Sequence, residues 1–207
     1  MPLDRPVTIV DVGYRSTNYW VVSAGSSRLL VDVGWPGTLG TMKASLKRMG
    51  VPLDELRYAL ATHYHIDHVG LAEELKREGV PLLVLDVQVE AIPLMKQWIK
   101  PVDRYVDITP DGNVVITFAE SRRVLAEIGI PGEIVPTPGH SEHCVSLLLD
   151  NGAAFTGDLP PAALAYDNPV ALASWQRLWE RGARRIYPAH GPIWELPSAP
   201  DSGAEPS

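Results

Sequence analysis

Six histidines stand in the chain, at positions 63, 65, 68, 140, 143 and 190, and three of them share the stretch His63-Tyr64-His65-Ile66-Asp67-His68. Imidazole nitrogens and carboxylate oxygens suit zinc and other borderline divalent cations. On a short loop at a strand end, His63 and His65 can turn to one side and Asp67 and His68 to an adjacent position. Such an arrangement offers two half-sites. Two cations about 3.5–4 Å apart can share a hydroxide and clamp a hydrolytic transition state.

Other residues of the same types recur in similar surroundings. His140 follows Thr137-Pro138-Gly139, Asp158 follows Phe155-Thr156-Gly157, and His190 follows Tyr187-Pro188-Ala189 and precedes Gly191. Each lies just past a segment that reads as a strand, near a glycine that lets the backbone bend. A lone histidine in such a place is most often structural. Three such residues joined to the first cluster reverse that reading.

The elements that must carry these groups follow from the patterning. Residues 7–12, 17–23 and 28–33 are rich in β-formers and separated by short turns, which predicts an antiparallel meander. A helix is predicted from Thr38, with Leu39, Met42, Leu46 and Met49 on one face and Gly50 at its end. Residues 57–62 read as a buried strand leading into the histidine loop, 71–78 as a helix and 81–85 as a strand. Residues 87–100 have a helical pattern interrupted by Pro93, and 101–112 are irregular. A strand at 114–118, a helix at 121–128 and a short strand at 133–135 come next. Residues 145–149 and 153–156 flank Asn151-Gly152, a strong hairpin signal. Asn168-Pro169 opens a helix to Arg181, and 185–187 is the last predicted strand. Residues 1–195 read as one domain, and 196–207, rich in Ser, Pro, Gly, Ala and acids, as a disordered tail.

The segments THYHIDH at 62–68, TPGH at 137–140, TGD at 156–158 and PAHG at 188–191 resemble, in order and spacing, the metallo-β-lactamase superfamily of hydrolases. The resemblance covers about residues 7–194. It implies an α+β fold, a four-layer αβ/βα sandwich of two mixed sheets flanked by helices, with the site at one edge. By the same resemblance His63, His65 and His140 hold one metal, Asp67, His68 and His190 hold a second, and Asp158 bridges them. Seven nitrogen and oxygen ligands fit two divalent ions, with zinc the first expectation and manganese or iron compatible.

Several branches of the superfamily fit poorly. Zinc β-lactamases usually carry cysteine at a second-metal position, whereas Cys144 lies elsewhere. Flavo-diiron proteins typically have Glu where His65 stands. Glyoxalase II adds a C-terminal helical segment, and the RNA-processing nucleases add domains or basic arms. Persulfide dioxygenases need only one iron. What remains is a dinuclear hydrolase that uses a metal-bridging hydroxide on an ester, lactone, thioester or phosphodiester. The alternatives on the same fold are a metal-binding sensor or regulator and an iron-dependent oxygenase. Asp67 is the expected catalytic carboxylate, orienting the hydroxide, and the leaving group takes its proton from Asp67 or from metal-bound water. No Gly-x-Ser-x-Gly elbow offers a serine nucleophile.

Residues around this set have open readings. His143 faces the substrate if the strand begins near it, since alternation would put His143, Val145 and Leu147 on the inner face; in the other register it faces solvent. Asp32 supports the ligand loop from behind, by resemblance, or simply forms a turn. Trp35 is an apolar wall of the site or a packing residue, and Tyr166 polarises a substrate oxygen or packs. Tyr64 is expected to point away from the metals. Trp175 and Trp179, four apart on a helix, are expected in the core. Cys144 reads as a buried small hydrophobe. Segment 86–113, with Met95, Trp98 and Tyr105, is the expected substrate cap.

The whole chain sets outer limits. Its 207 residues are 45% hydrophobic, with a net charge of −7 and one cysteine. An acidic chain without basic runs argues against a nucleic-acid partner. A single cysteine excludes an intrachain disulfide and fits a cytoplasmic location. No segment has the length and apolarity of a membrane span. The expected partner is a small-molecule substrate, and the oligomeric state stays open, a homodimer included.

Overall fold

The computed structural model describes residues 6–196. The chain begins with the expected meander: β1 (Thr8–Asp11), β2 (Trp20–Ala24) and β3 (Ser27–Val31) pair antiparallel. Helix α1 (Leu39–Arg48) buries Met42 and Leu46 and crosses to β4 (Leu56–Leu60), which lies parallel to β3. Helices α2 (Ile66–Val69) and α3 (Ala72–Arg77) lead to β5 (Leu82–Leu85). A short helix, α4 (Ala91–Leu94), and irregular chain precede β6 (Asn113–Ile116). The first sheet has the order β1-β2-β3-β4-β5-β6, with its last three pairings parallel.

Helix α5 (Phe118–Glu127) carries the chain to the second sheet. There β7 (Gly132–Pro136), β8 (Val145–Leu149) and β9 (Ala153–Gly157) run antiparallel. Helix α6 (Pro169–Glu180) follows, with the Asn168 side chain accepting from the Ala171 N–H at 3.0 Å as its cap. Strand β10 (Arg185–Pro188) then joins β9 in parallel, and β11 (Trp194–Glu195) closes the order β11-β10-β9-β8-β7.

Side-chain alternation assigns each sheet two buried faces. Val22, Leu29, Val31 and Leu83 of the first sheet meet Ile134, Leu147 and Phe155 of the second. Leu30, Ala59, Leu82 and Val84 face the other way, onto Met42 and Leu46 of α1 and Leu75 of α3. Leu148, Ala154 and Ile186 pack on Ala171, Trp175 and Leu178 of α6. The result is the four-layer αβ/βα sandwich of two mixed sheets.

Some elements differ from the sequence reading. Residues 87–100 are not one helix: α4 spans four residues around Pro93 and gives way to a 3-10 turn at Met95–Trp98. Proline removes a helical donor and breaks the run. The helix predicted at 121–128 starts earlier, at Phe118, where the Thr117 N–H donates to Glu120 Oε2 at 2.9 Å. That is half of a capping box that Thr117 and Glu120 announce. The strand β11 was not anticipated. Leu196, grouped above with the tail, is buried in the core beside α6, and its N–H donates to the Arg184 carbonyl at 2.7 Å. The remainder of that tail lies outside the described residues. Among the described residues no helix is long and apolar enough to cross a membrane.

Candidate metal centre

Strand β4 delivers the first group of ligand-type residues. His63 and His65 lie in the loop after it, and Asp67 and His68 lie in the single turn of α2. His140 comes from the β7–β8 loop, Asp158 from the end of β9 and His190 from the end of β10. Gly157, at φ +56°, permits this convergence. A Cβ there would strike the Thr62 side chain, so the Asp158 and His63 loops meet only because position 157 has none.

Three groups of ligand atoms are drawn together, with the atoms of each group within 4.8 Å of one another: His63, His65 and His140; His63, His68 and Asp158; and Asp67, His68 and His190. Asp158 lies between the outer two. Its Oδ2 is 3.8 Å from His63 Nε2, 3.6 Å from His140 Nε2 and 3.4 Å from His68 Nε2, and its Oδ1 is 3.4 Å from His190 Nε2. Asp67 Oδ2 lies 3.5 Å from His68 Nε2 and 3.3 Å from His190 Nε2. The ring nitrogens of His65 and His140 face each other at 3.0 Å.

The donor set fits divalent cations on structural grounds. His63 Nε2, His68 Nε2 and Asp158 Oδ1 are buried and lack any hydrogen-bond partner among the described residues. Buried polar atoms are nearly always satisfied, so three orphans turned toward one space mark a place for a cation. The opposite ring nitrogens are anchored instead. His68 Nδ1 lies 3.0 Å from Asp32 Oδ2, and His190 Nδ1 donates to the Ser16 carbonyl at 2.6 Å. Such contacts fix the ring and free the other nitrogen for a metal.

The electrostatics follow from burial and crowding. Burial holds the His63 ring well below its ordinary pKa, and the neighbouring rings push it further down. Burial and His140 lower His65 as well. For His68 burial also acts downward, but the Asp32 and Asp158 carboxylates outweigh it and lift the ring to about 10. Burial pushes the Asp158 carboxyl up, and the facing histidines, His68 first, overcome this and hold it below the usual range.

The remaining sequence candidates separate clearly. Asp32, buried at φ +59°, accepts from the Thr62 N–H at 2.8 Å while touching His68, so it stands directly behind the ligand loop. His143 lies before β8 and outside the three ligand groups, with Nδ1 3.9 Å from Glu90 Oε1. Val145 and Leu147 do face the inter-sheet core, but the strand begins only after His143. Trp35 packs against the core beside α1, under the Arg15 guanidinium at 5.3 Å. Tyr166 is 82% exposed and belongs to the surface, because the 3-10 turn before it leaves it outside the core. Tyr64 is buried in the core, and so is Trp175, while Trp179 is only partly buried. Of the expected cap, Met95 is core and Tyr105 packs against it; Trp98 is the one that reaches the centre, its ring 6.3 Å from His65.

Several supporting residues carry no signal in the sequence. The Thr17 hydroxyl donates to Asp67 Oδ2 at 3.1 Å, and the Tyr19 hydroxyl donates to the Asp67 carbonyl at 3.0 Å. The Asn18 amide donates to the carbonyls of Pro188 and Gly191, which brackets His190. Contacts between positions 48 to 173 residues apart leave no local pattern.

The comparisons with known proteins bear on this geometry. The sequence model of the metallo-β-lactamase superfamily matches residues 12–190. The chain belongs to this superfamily. It is 30% identical over 183 residues to a β-lactamase-like protein 2 homologue of Caenorhabditis elegans, covering 86% of this chain and 57% of that one. The chain spans about half the length of this relative and of the fungal lactamase-like proteins it matches at 28–30% identity. A metallo-β-lactamase family protein of Thermus thermophilus superposes with a TM-score of 0.67 at 19% identity, covering 90% of this chain and 74% of that one. Another protein, solved in a di-iron-bound form, gives a TM-score of 0.64 at 23% identity, covering 91% of this chain and 94% of that one. These likenesses establish the αβ/βα fold.

Proposed function

We propose that the protein is a metal-dependent hydrolase with two divalent cations, acting on a small molecule through an ester, lactone, thioester or phosphodiester bond. The observation that carries this reading is the set of unpartnered buried atoms, His63 Nε2, His68 Nε2 and Asp158 Oδ1, at the meeting of three ligand groups. In this assignment His63, His65 and His140 would hold one cation, Asp67, His68 and His190 would hold the other, and Asp158 would serve both. Bound there, such ions supply Lewis acidity and lower the pKa of water toward 7.

The chain's own residues do the positioning. The Thr17 hydroxyl donates to Oδ2 of Asp67, the oxygen that faces the His68 and His190 rings at 3.5 and 3.3 Å, and so orients the carboxylate that would accept or return a proton. Asp32 and the Ser16 carbonyl hold the His68 and His190 rings in register. Cys144 is no competing nucleophile, because it is buried and burial raises its thiol pKa more than the Ser141 contacts lower it. Zinc remains the first expectation, with manganese and iron compatible with the same donors.

The test is a substrate panel on protein reconstituted separately with zinc, manganese and iron. It comprises p-nitrophenyl acetate, a lactone, a thioester and bis-p-nitrophenyl phosphate. Turnover of at least one class, lost on chelation and restored by metal, is expected. Protein that binds its metals yet turns over none of them would overturn the hydrolase reading in favour of a metal-binding sensor.

A further inference from the structure

A cavity of about 680 Å³ opens directly on the candidate metal centre. His140, Asp158 and His190 form one end of it. From there it runs between the loop after β9 and the loop after β10, toward α6 and β11. Its far walls are apolar, and Ala162, Trp179, Pro192 and Trp194 are the side chains that define them. The volume lies within the range of small-molecule sites, roughly 300–1,000 Å³.

We propose that this cavity receives a neutral, apolar acyl or aryl group whose ester or thioester carbonyl sits at the His140–Asp158–His190 end. This deepens, and rests on, the hydrolase reading above. Three observations carry it. First, among the described residues no lysine or arginine lines the cavity, and its ionisable residues are His140, Asp158 and His190 of the metal cluster. A phosphodiester tail or a carboxylate entering it would lose hydration with no cation to replace it, which is costly. Second, the walls are fixed before any ligand arrives. Trp179 and Trp194 pack against the core beneath α6, and the Trp194 ring stands 5.4 Å from that of buried Trp175. Aromatic walls of this kind supply apolar contact at small entropic cost. Third, the cavity is one-sided. His65 and Trp98 are not among its walls, and Trp98, 59% exposed, borders the centre by His65 instead. An apolar group in the cavity is therefore kept apart from the His65–Trp98 side of the centre. In the reaction, water oxygen bonds to the acyl carbon, the carbon–oxygen or carbon–sulfur bond breaks, and a proton passes to the departing oxygen or sulfur.

The experiment has two arms. In the first, the neutral fluorophore N-phenyl-1-naphthylamine is titrated into metal-free and metal-loaded protein. Saturable binding is expected in both, weakened about tenfold or more by Ala162→Trp, which fills the cavity, and by Ala163→Glu, which adds a charge to its wall. Metal content and circular dichroism check that each variant is folded. In the second arm, p-nitrophenyl esters from acetate to octanoate are compared. The kcat/KM is expected to rise about three- to fourfold per added methylene until the cavity is full, and Ala162→Trp should flatten that series. Absence of saturable probe binding, or equal binding by folded variants, overturns the cavity assignment whatever the turnover. A flat ester series in an active enzyme overturns the acyl specificity. Probe binding sensitive to both variants, with no ester hydrolysed, retains the apolar site and removes the hydrolase reading beneath the substrate class.

Discussion

The Nδ1 of His68 lies 3.0 Å from Oδ2 of Asp32, and both side chains are buried. The same carboxylate accepts from the Thr62 N–H at 2.8 Å and from the Thr62 hydroxyl at 3.0 Å. One group therefore holds both the ring of a metal-ligand candidate and the backbone of the loop that carries His63. Asp32 keeps this position at φ +59°, a conformation that non-glycine residues adopt at a cost. Asp32→Ala is expected to weaken metal affinity about 10–100-fold, and to lower stability by about 1–3 kcal/mol because the Thr62 N–H loses its acceptor. Chelator competition and a denaturation curve measure the two effects. Unchanged metal affinity would reduce Asp32 to a turn residue.

Asp158 has the widest reach of the cluster, with one oxygen toward His63, His140 and His68 and the other toward His190. Asp158→Ala should loosen both metals and abolish turnover while the far-ultraviolet circular dichroism stays native. Activity near that of the unaltered protein would exclude the bridging role.

His143→Ala should retain both metals, since its ring lies near Glu90 and outside the ligand groups. Its effect on kcat should stay below the roughly 10–100-fold typical of a lost contact at a metal site. Loss of a metal in this variant would mean that the ligand set is wrongly drawn.

The Cys144 thiol is buried and its pKa raised, chiefly by burial. A raised thiol pKa lowers the thiolate fraction at any pH below it, and the thiolate is the reactive form. Labelling by a disulfide reagent at about pH 8 should be slow in the folded protein and fast in denaturant. The native rate should still be rising above the ordinary thiol pKa. Rapid native labelling that levels off near neutral pH would contradict this environment.

The sequence was most informative where chemistry is local. Four ligand-type residues between His63 and His68 are visible in the sequence because one short loop must hold them. The hairpin at Asn151-Gly152 and the helix after Asn168-Pro169 were legible for the same reason: turn and cap residues act on their immediate neighbours. Long-range features were not legible. Thr17 reaches Asp67 because the chain entering β2 passes the loop after β4, and Asn18 brackets His190 because the same chain meets the end of β10. The sequence reading places a substrate cap in segment 86–113 and an apolar wall or packing residue at Trp35, yet the cavity lies between the loops after β9 and β10, toward α6 and β11, and Trp179 reads there as plain core. Which half of an amphipathic helix borders a cavity depends on where the neighbouring loops end, and residue spacing does not encode that.

On the proposed assignment seven residues, His63, His65, Asp67, His68, His140, Asp158 and His190, hold two cations in one chain. The decisive measurement is elemental analysis of protein purified gently and without chelator. About two transition-metal equivalents per chain are expected; one equivalent or none would rule out the metal pair.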